Sequence, residues 1–245
     1  MKMGLVRYRN SNANINDEGT FWISISDLMA GLLIIFILTL TYFMLNLSQA
    51  TAQLTESNSK RAEILLTIEG LLKEKGINVK VIPEYGVLRL PDGILFNPGK
   101  AEINETGRNV IGVLAPILYD VLTRPEYIGS VETVFIEGHT DNRPLASGRF
   151  ASNWELSTQR AINTWRIMED TVPSLENLKN GRGEQIISCS GYAYSRPVAS
   201  NDTPEGRKEN RRIDLRFSMT PPSHPDRSDD RKAPLIKDIK RELNS

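Results

Sequence analysis

The stretch FWISISDLMAGLLIIFILTLTYFML, residues 21–45, restricts the fold more than any other part of the 245-residue chain. Between Phe21 and Leu47 the only ionisable side chains are Asp27 and Tyr42. Two dozen helical residues at about 1.5 Å rise reach about 36 Å, against a hydrocarbon core of about 30 Å. The run outlasts the core of a signal peptide, follows a polar tail and passes into NLSQATAQL. Cleavage after Ala50 or Ala52 would be possible, but length and the embedded acid favour a retained single-span anchor. Lys2, Arg7 and Arg9 precede the span, whereas Lys60 and Arg61 lie well beyond it. That asymmetry predicts a cytoplasmic N-terminus and an exported C-terminal part.

Asp27 is the anomaly in this segment. One charge at the bilayer centre costs roughly 2.5 to 17 kcal/mol, depending on the scale. Ser24, Asp27, Gly31, Ile34, Leu38 and Thr41 share one helical stripe, small and polar around Asp27 and aliphatic beyond it. Small residues let a second helix approach, and the acid needs a protein partner or water beside it. An acid reaching back to the interface is the competing reading, since Asp27 is only about two turns inside. Its short stem makes it a poor snorkeller. The pattern points to a functional carboxylate, uncharged in low dielectric and ionised when water reaches it.

Lys+Arg and Asp+Glu are both 30, which gives no reason to expect nucleic acid. One cysteine, Cys189, excludes an intrachain disulfide, and with two histidines no metal or cofactor is expected. Five segments are anticipated: a loosely ordered tail (1–19), a membrane helix (20–46), a helical linker (47–77), a globular domain (78–218) and a peripheral tail (219–245). In the linker, Leu54, Asn58, Arg61, Leu65, Ile68 and Leu72 fall on a heptad seam. It suits either a parallel dimer contact or a spacer helix lying on the next domain. Beyond Asn78, VKVIPEYGVLRLP alternates as paired strands with a turn at PEYG. ETGRNVIGVLAPILYDVLTR and NWELSTQRAINTWRIMED carry helical periodicity, and VETVFIEGHTD, EQIISCSGYAYS and RRIDLRFSM read as strands. The alternation predicts an α/β (α+β) sandwich, one sheet with helices packed on it.

Four motifs, ILFNPGKAEI, GHTDNRPL, NWELSTQRA and GYAYSRPVASNDTPEGRKENRRIDL, together resemble the OmpA/MotB-type peptidoglycan-binding domain over about residues 79–218. FWISISDLMAGLLIIFIL in turn looks like the single helix of MotB-type stator subunits. The short, weakly basic tail and the compact chain are most similar to the ZorB branch of that superfamily, from Zorya anti-phage systems. Flagellar MotB shares every chemical feature named so far. The resemblance implies an inner-membrane homodimer anchored to peptidoglycan, working inside a MotA-like (ZorA) pentamer. Asp27 would carry the ion, a proton or sodium, along a path lined by Ser24 and Gly31.

The same resemblance implies the wall site. Diaminopimelate presents an ammonium and a carboxylate, which an acid and a planar guanidinium can hold. Asp141 and Arg160 match the family's ligand pair, with Asn153, Leu156 and Thr140 lining the site and Arg211 at another recurring basic position. Asn153, Leu156 and Arg160 share one helix face, and Asn153 or Ser152 is placed to cap that helix. Tyr194 replaces the family's usual acid, so no ligand role is carried onto it. His139, Asp141 and Ser157 do not by their spacing build a hydrolase, so no enzymatic activity is expected.

Overall fold

The computed structural model describes residues 13–145 and 149–221, with side chains from residue 20 onward. Two compact units are present, Met1–Ala52 and Gln53–Ser245. The tail residues 1–12 and 222–245 lie outside the described residues. Helix α1 (Ala13–Glu74), whose residues up to Ala52 belong to the first unit, begins earlier than a loosely ordered tail at 1–19 would allow. No proline interrupts residues 13–19, and extending a formed helix is far easier than nucleating one. Among the described residues, α1 is long and apolar enough to cross a membrane. Ser24 and Ser26 donate to the carbonyls of Thr20 and Trp22 at 2.9 Å, and Thr39 and Thr41 to those of Ile35 and Ile37 at 2.8 Å. The hydroxyls are thus satisfied within the helix, as an apolar environment requires.

The second unit is built on a five-stranded sheet. Strands β1 (Lys80–Ile82) and β2 (Val87–Pro91) form the hairpin expected at PEYG, with Gly86 in the left-handed region at φ 69°. A short helix α2 (Asp92–Leu95) and the long α3 (Glu105–Leu122) follow, then β3 (Val131–His139) and α4 (Asn153–Thr171). Strand β4 (Ile187–Gly191), α5 (Pro204–Asn210) and β5 (Arg212–Met219) complete the unit. The order is β1-β2-β5-β3-β4, in which only β3 and β4 run parallel. The last strand therefore lies in the middle, and α4 makes the crossover between the two parallel strands.

The apolar core joins Leu88, Leu90, Ile111, Leu114, Leu118, Val134, Ile136, Ile213, Leu215 and Phe217. The end of α1 joins it too. Ile64, Leu65, Ile68 and Leu72 are fully buried in the same cluster, and Arg61 Nη2 donates to the Glu84 carbonyl at 3.1 Å. Leu65, Ile68 and Leu72, proposed for a dimer seam, are thus consumed by the chain's own domain. Of the two readings of the heptad, the spacer helix lying on its domain is the observed one. A heptad reports an apolar face without saying what covers it.

Two glycines set the approach of α4. A Cβ at Gly138 would lie 2.8 Å from Ser157 C and closer still to its carbonyl oxygen; one at Gly191 would lie 2.5 Å from the Thr158 nitrogen. Neither strand admits a side chain there, so α4 rests backbone to backbone on β3 and β4. Ser152 caps that helix, accepting from Glu155 N–H at 3.3 Å, while Glu155 Oε2 accepts from Ala151 N–H at 2.9 Å.

Candidate functional site: a ladder of alternating charges

The GHTD segment leaves β3 beside the start of α4, and the strand β5 begins at the same end of the sheet. Their charged side chains interleave. Arg160 Nη1 contacts Asp92 Oδ1 at 2.6 Å, Arg211 Nε lies 4.0 Å from Asp92 Oδ2, and Arg211 Nη1 is 2.6 Å from Asp141 Oδ2. Arg143 Nη2 closes the row on Asp141 Oδ2 at 2.9 Å. The sequence Arg160, Asp92, Arg211, Asp141, Arg143 alternates in sign and, with three cations against two anions, carries one net positive charge.

Arg160 and Asp141, paired in the sequence reading as partners for one ligand, do not pair with each other among the described residues. Arg160 is fully packed: its Nε donates to the Lys100 carbonyl at 2.9 Å and its guanidinium lies 4.9 Å from the Phe96 ring centroid. Asp92 was not singled out from sequence, although it stands two residues before the ILFNPGKAEI motif as an acid in a largely apolar stretch. Its contact with Arg160 is close but not aligned as a hydrogen bond, so Oδ1 has none. Burial pushes its carboxyl up to about 6, against the pull of Arg160 and Arg211 and with Asp141 adding to the rise. Burial also works to raise Asp141, but hydrogen bonds from Arg143 and Arg211 outweigh it and hold that carboxyl below its ordinary range.

The remaining candidates frame this ladder. Thr140 Oγ1 donates to the Asp141 carbonyl at 2.9 Å, and its N–H to Ala193 O at 2.8 Å. Asn153 is not the helix cap; its Nδ2 donates to the Arg143 carbonyl at 2.9 Å and so ties the loop to α4. Leu156 is buried as packing. Asn210, fully buried, accepts from Val198 and Ala199 N–H at 2.7 and 3.0 Å and shapes the loop before Arg211. On the first unit, Asp27, Ser24 and Gly31 are exposed on the helix surface, with open space around Gly31.

A second charged cluster lies deeper. Asp214 takes a bidentate fork from Arg89 at 2.8 Å on both oxygens and another bond from Arg212 Nε at 2.9 Å. Glu137 takes a fork from Arg216 at 2.9 and 2.8 Å. His139 lies 3.8 Å from both acids, stacked on Tyr192 with its ring nitrogens unpartnered; burial lowers its pKa. Glu137, His139 and Asp214 are spaced as metal donors can be, yet arginine forks already engage both carboxylates. Ser157 accepts from Ala193 N–H at 3.0 Å and donates to the Trp154 carbonyl at 3.0 Å. It forms no nucleophile–base pair with His139.

Comparison with known proteins gives this architecture its class. The OmpA family matches residues 95–211. Motility protein B of Bacillus subtilis (strain 168) is 32% identical over 152 residues, which are 60% of this chain and 52% of that protein. The chain thus spans about half the length of that relative. The Zorya protein ZorB of Escherichia coli O139:H28 (strain E24377A / ETEC) is 23% identical over 206 residues, 82% of this chain and 81% of that protein. A crystal structure of a MotB like protein from Desulfovibrio vulgaris superposes with a TM-score of 0.54 at 23% identity, covering 68% of this chain and 98% of that one; this likeness concerns the fold. The globular unit is an OmpA-like domain behind a long apolar helix. Across the domain the chain is similar to MotB-type proteins.

Proposed function

We propose that this chain is an ion-conducting motor subunit anchored to peptidoglycan, single-pass in the inner membrane, with its N-terminus cytoplasmic and its domain periplasmic. The observation that carries this reading is the joining, on one chain, of a lone carboxylate in an apolar helix to an OmpA-like domain bearing the charged ladder. Asp27 carries the ion, most simply a proton, past Ser24 and Gly31. One helix cannot enclose a path, so a homodimer works within a MotA-like pentamer, ZorA in the Zorya case. A membrane potential supplies about 2.3 kcal/mol per charge per 100 mV to drive the cycle. In the second unit Asp141, Arg160 and Arg211 hold the zwitterionic end of diaminopimelate, with Asn153, Thr140 and Leu156 shaping the site.

A Zorya-type anti-phage complex is the machine we assign, because the relation to ZorB runs over most of both chains. Flagellar motility is the second reading, favoured by the higher identity to Motility protein B. Co-reconstitution with a MotA-like protein from the same organism tests the common core: Asp27→Asn should abolish proton flux and leave the complex assembled. Full flux in that variant would refute the ion-carrier role. Loss of phage resistance without loss of swimming would favour defence, and the reverse would favour motility.

A further inference from the structure

The three cations of the ladder are held very differently. Arg160 is 2% exposed and anchored by Asp92, a carbonyl and a ring. Arg211, 30% exposed, reaches both acids. Arg143 is 62% exposed, and among the described residues its guanidinium is held by Asp141 alone, through Nη2 at 2.9 Å and Nε at 3.2 Å. Its backbone is fixed independently, since its N–H donates to Asp141 Oδ1 at 3.1 Å and its carbonyl accepts from Asn153. The side chain can therefore leave while the loop stays.

Resting on the reading of this ladder as a diaminopimelate site, we propose that the Arg143 guanidinium occupies the position of the ligand's ammonium on Asp141 and is displaced by it. Two arginines already share Asp141 Oδ2, so the ligand's ammonium would be a third cation there unless one of them leaves. Release of Arg143 into water leaves two cations and two anions, a neutral ladder complementary to a zwitterion. A ligand with a carboxylate alone has nothing to set against Asp141, so Arg143 stays and the acid remains closed. Arg143 is thus a specificity-determining residue: it makes entry conditional on a ligand that brings its own cation.

Calorimetry on the full chain in detergent tests this with two probes. One is the tripeptide L-Ala-γ-D-Glu-meso-diaminopimelate with a free terminal amino acid end; the other is the same peptide N-acetylated there. An exposed ion pair is worth little, so removing the competitor should tighten binding of the free peptide about two- to fivefold in Arg143→Ala. The acetylated peptide should gain nothing, and Arg124→Ala, which alters a remote surface pair, should leave both unchanged. If wild type binds the free peptide and Arg143→Ala binds it equally or more weakly, displacement is wrong while the site stands. If wild type binds neither peptide, the site reading fails and the inference falls with it.

Discussion

Replacing Glu137 by glutamine removes a charge from the centre of the sheet while keeping its shape. Glu137 is 2% exposed and held by the Arg216 fork, and its carboxyl lies at about 2. Burial alone would raise it. His139 at 3.8 Å is too distant for a good hydrogen bond, so the fork at 2.9 and 2.8 Å carries the depression. From 4.5 to about 2 the shift corresponds to about 3 kcal/mol of linkage, at about 1.4 kcal/mol per unit. Arg216 is 33% exposed and regains water when its partner is neutralised, which reduces the loss to about 2–3 kcal/mol. A folded pKa below the unfolded one means stability present above pH 4.5 and lost as pH falls toward 2. Thermal unfolding of the full chain in detergent should therefore show Glu137→Gln melting lower by about 4–12 °C at pH 7. The gap should close as pH is lowered through that window. A gap below 1 °C at pH 7, or one independent of pH, would refute the assignment of the depressed carboxyl to this fork.

Gly138→Ala should cost about 3 kcal/mol or more, because the methyl meets the backbone of Ser157 and α4 must retreat, carrying Arg160 with it; melting temperature and wall binding would fall together. Ile68→Ala should cost about 2–5 kcal/mol with a melting temperature that does not vary with protein concentration, since Ile68 is core and not a subunit seam. Asp92 has a raised folded pKa, so its contribution to stability is full below about 4 and lost as pH rises through 6. Its protonation frees Arg160 for a ligand carboxylate. Affinity for diaminopimelate peptide should consequently rise as pH drops from 7 to 5, and Asp92→Asn should flatten that dependence.

Much of this architecture can be read from local pattern. An unbroken apolar run specifies a span because it must cross a fixed thickness, and the periods of α3, α4 and β5 specify which faces turn inward. The Ser152 cap and the turn at PEYG are equally local, as each depends on residues within one turn of each other. The acid of GHTD was visible as a candidate for the same reason: polar groups at a strand end stand out. Which charges meet was not visible. Asp214 and Arg216 alternate with Ile213 and Leu215 as if facing solvent, yet Asp214 is buried, because the segment after β4 folds over that face and closes it with Arg196 and Tyr192. Arg211 reaches both Asp92 and Asp141 only because β5 lies centrally between β2 and β3. Periodicity records which way a side chain points relative to its own neighbours; the partner it finds depends on strand order, which is decided by burial of the whole sheet.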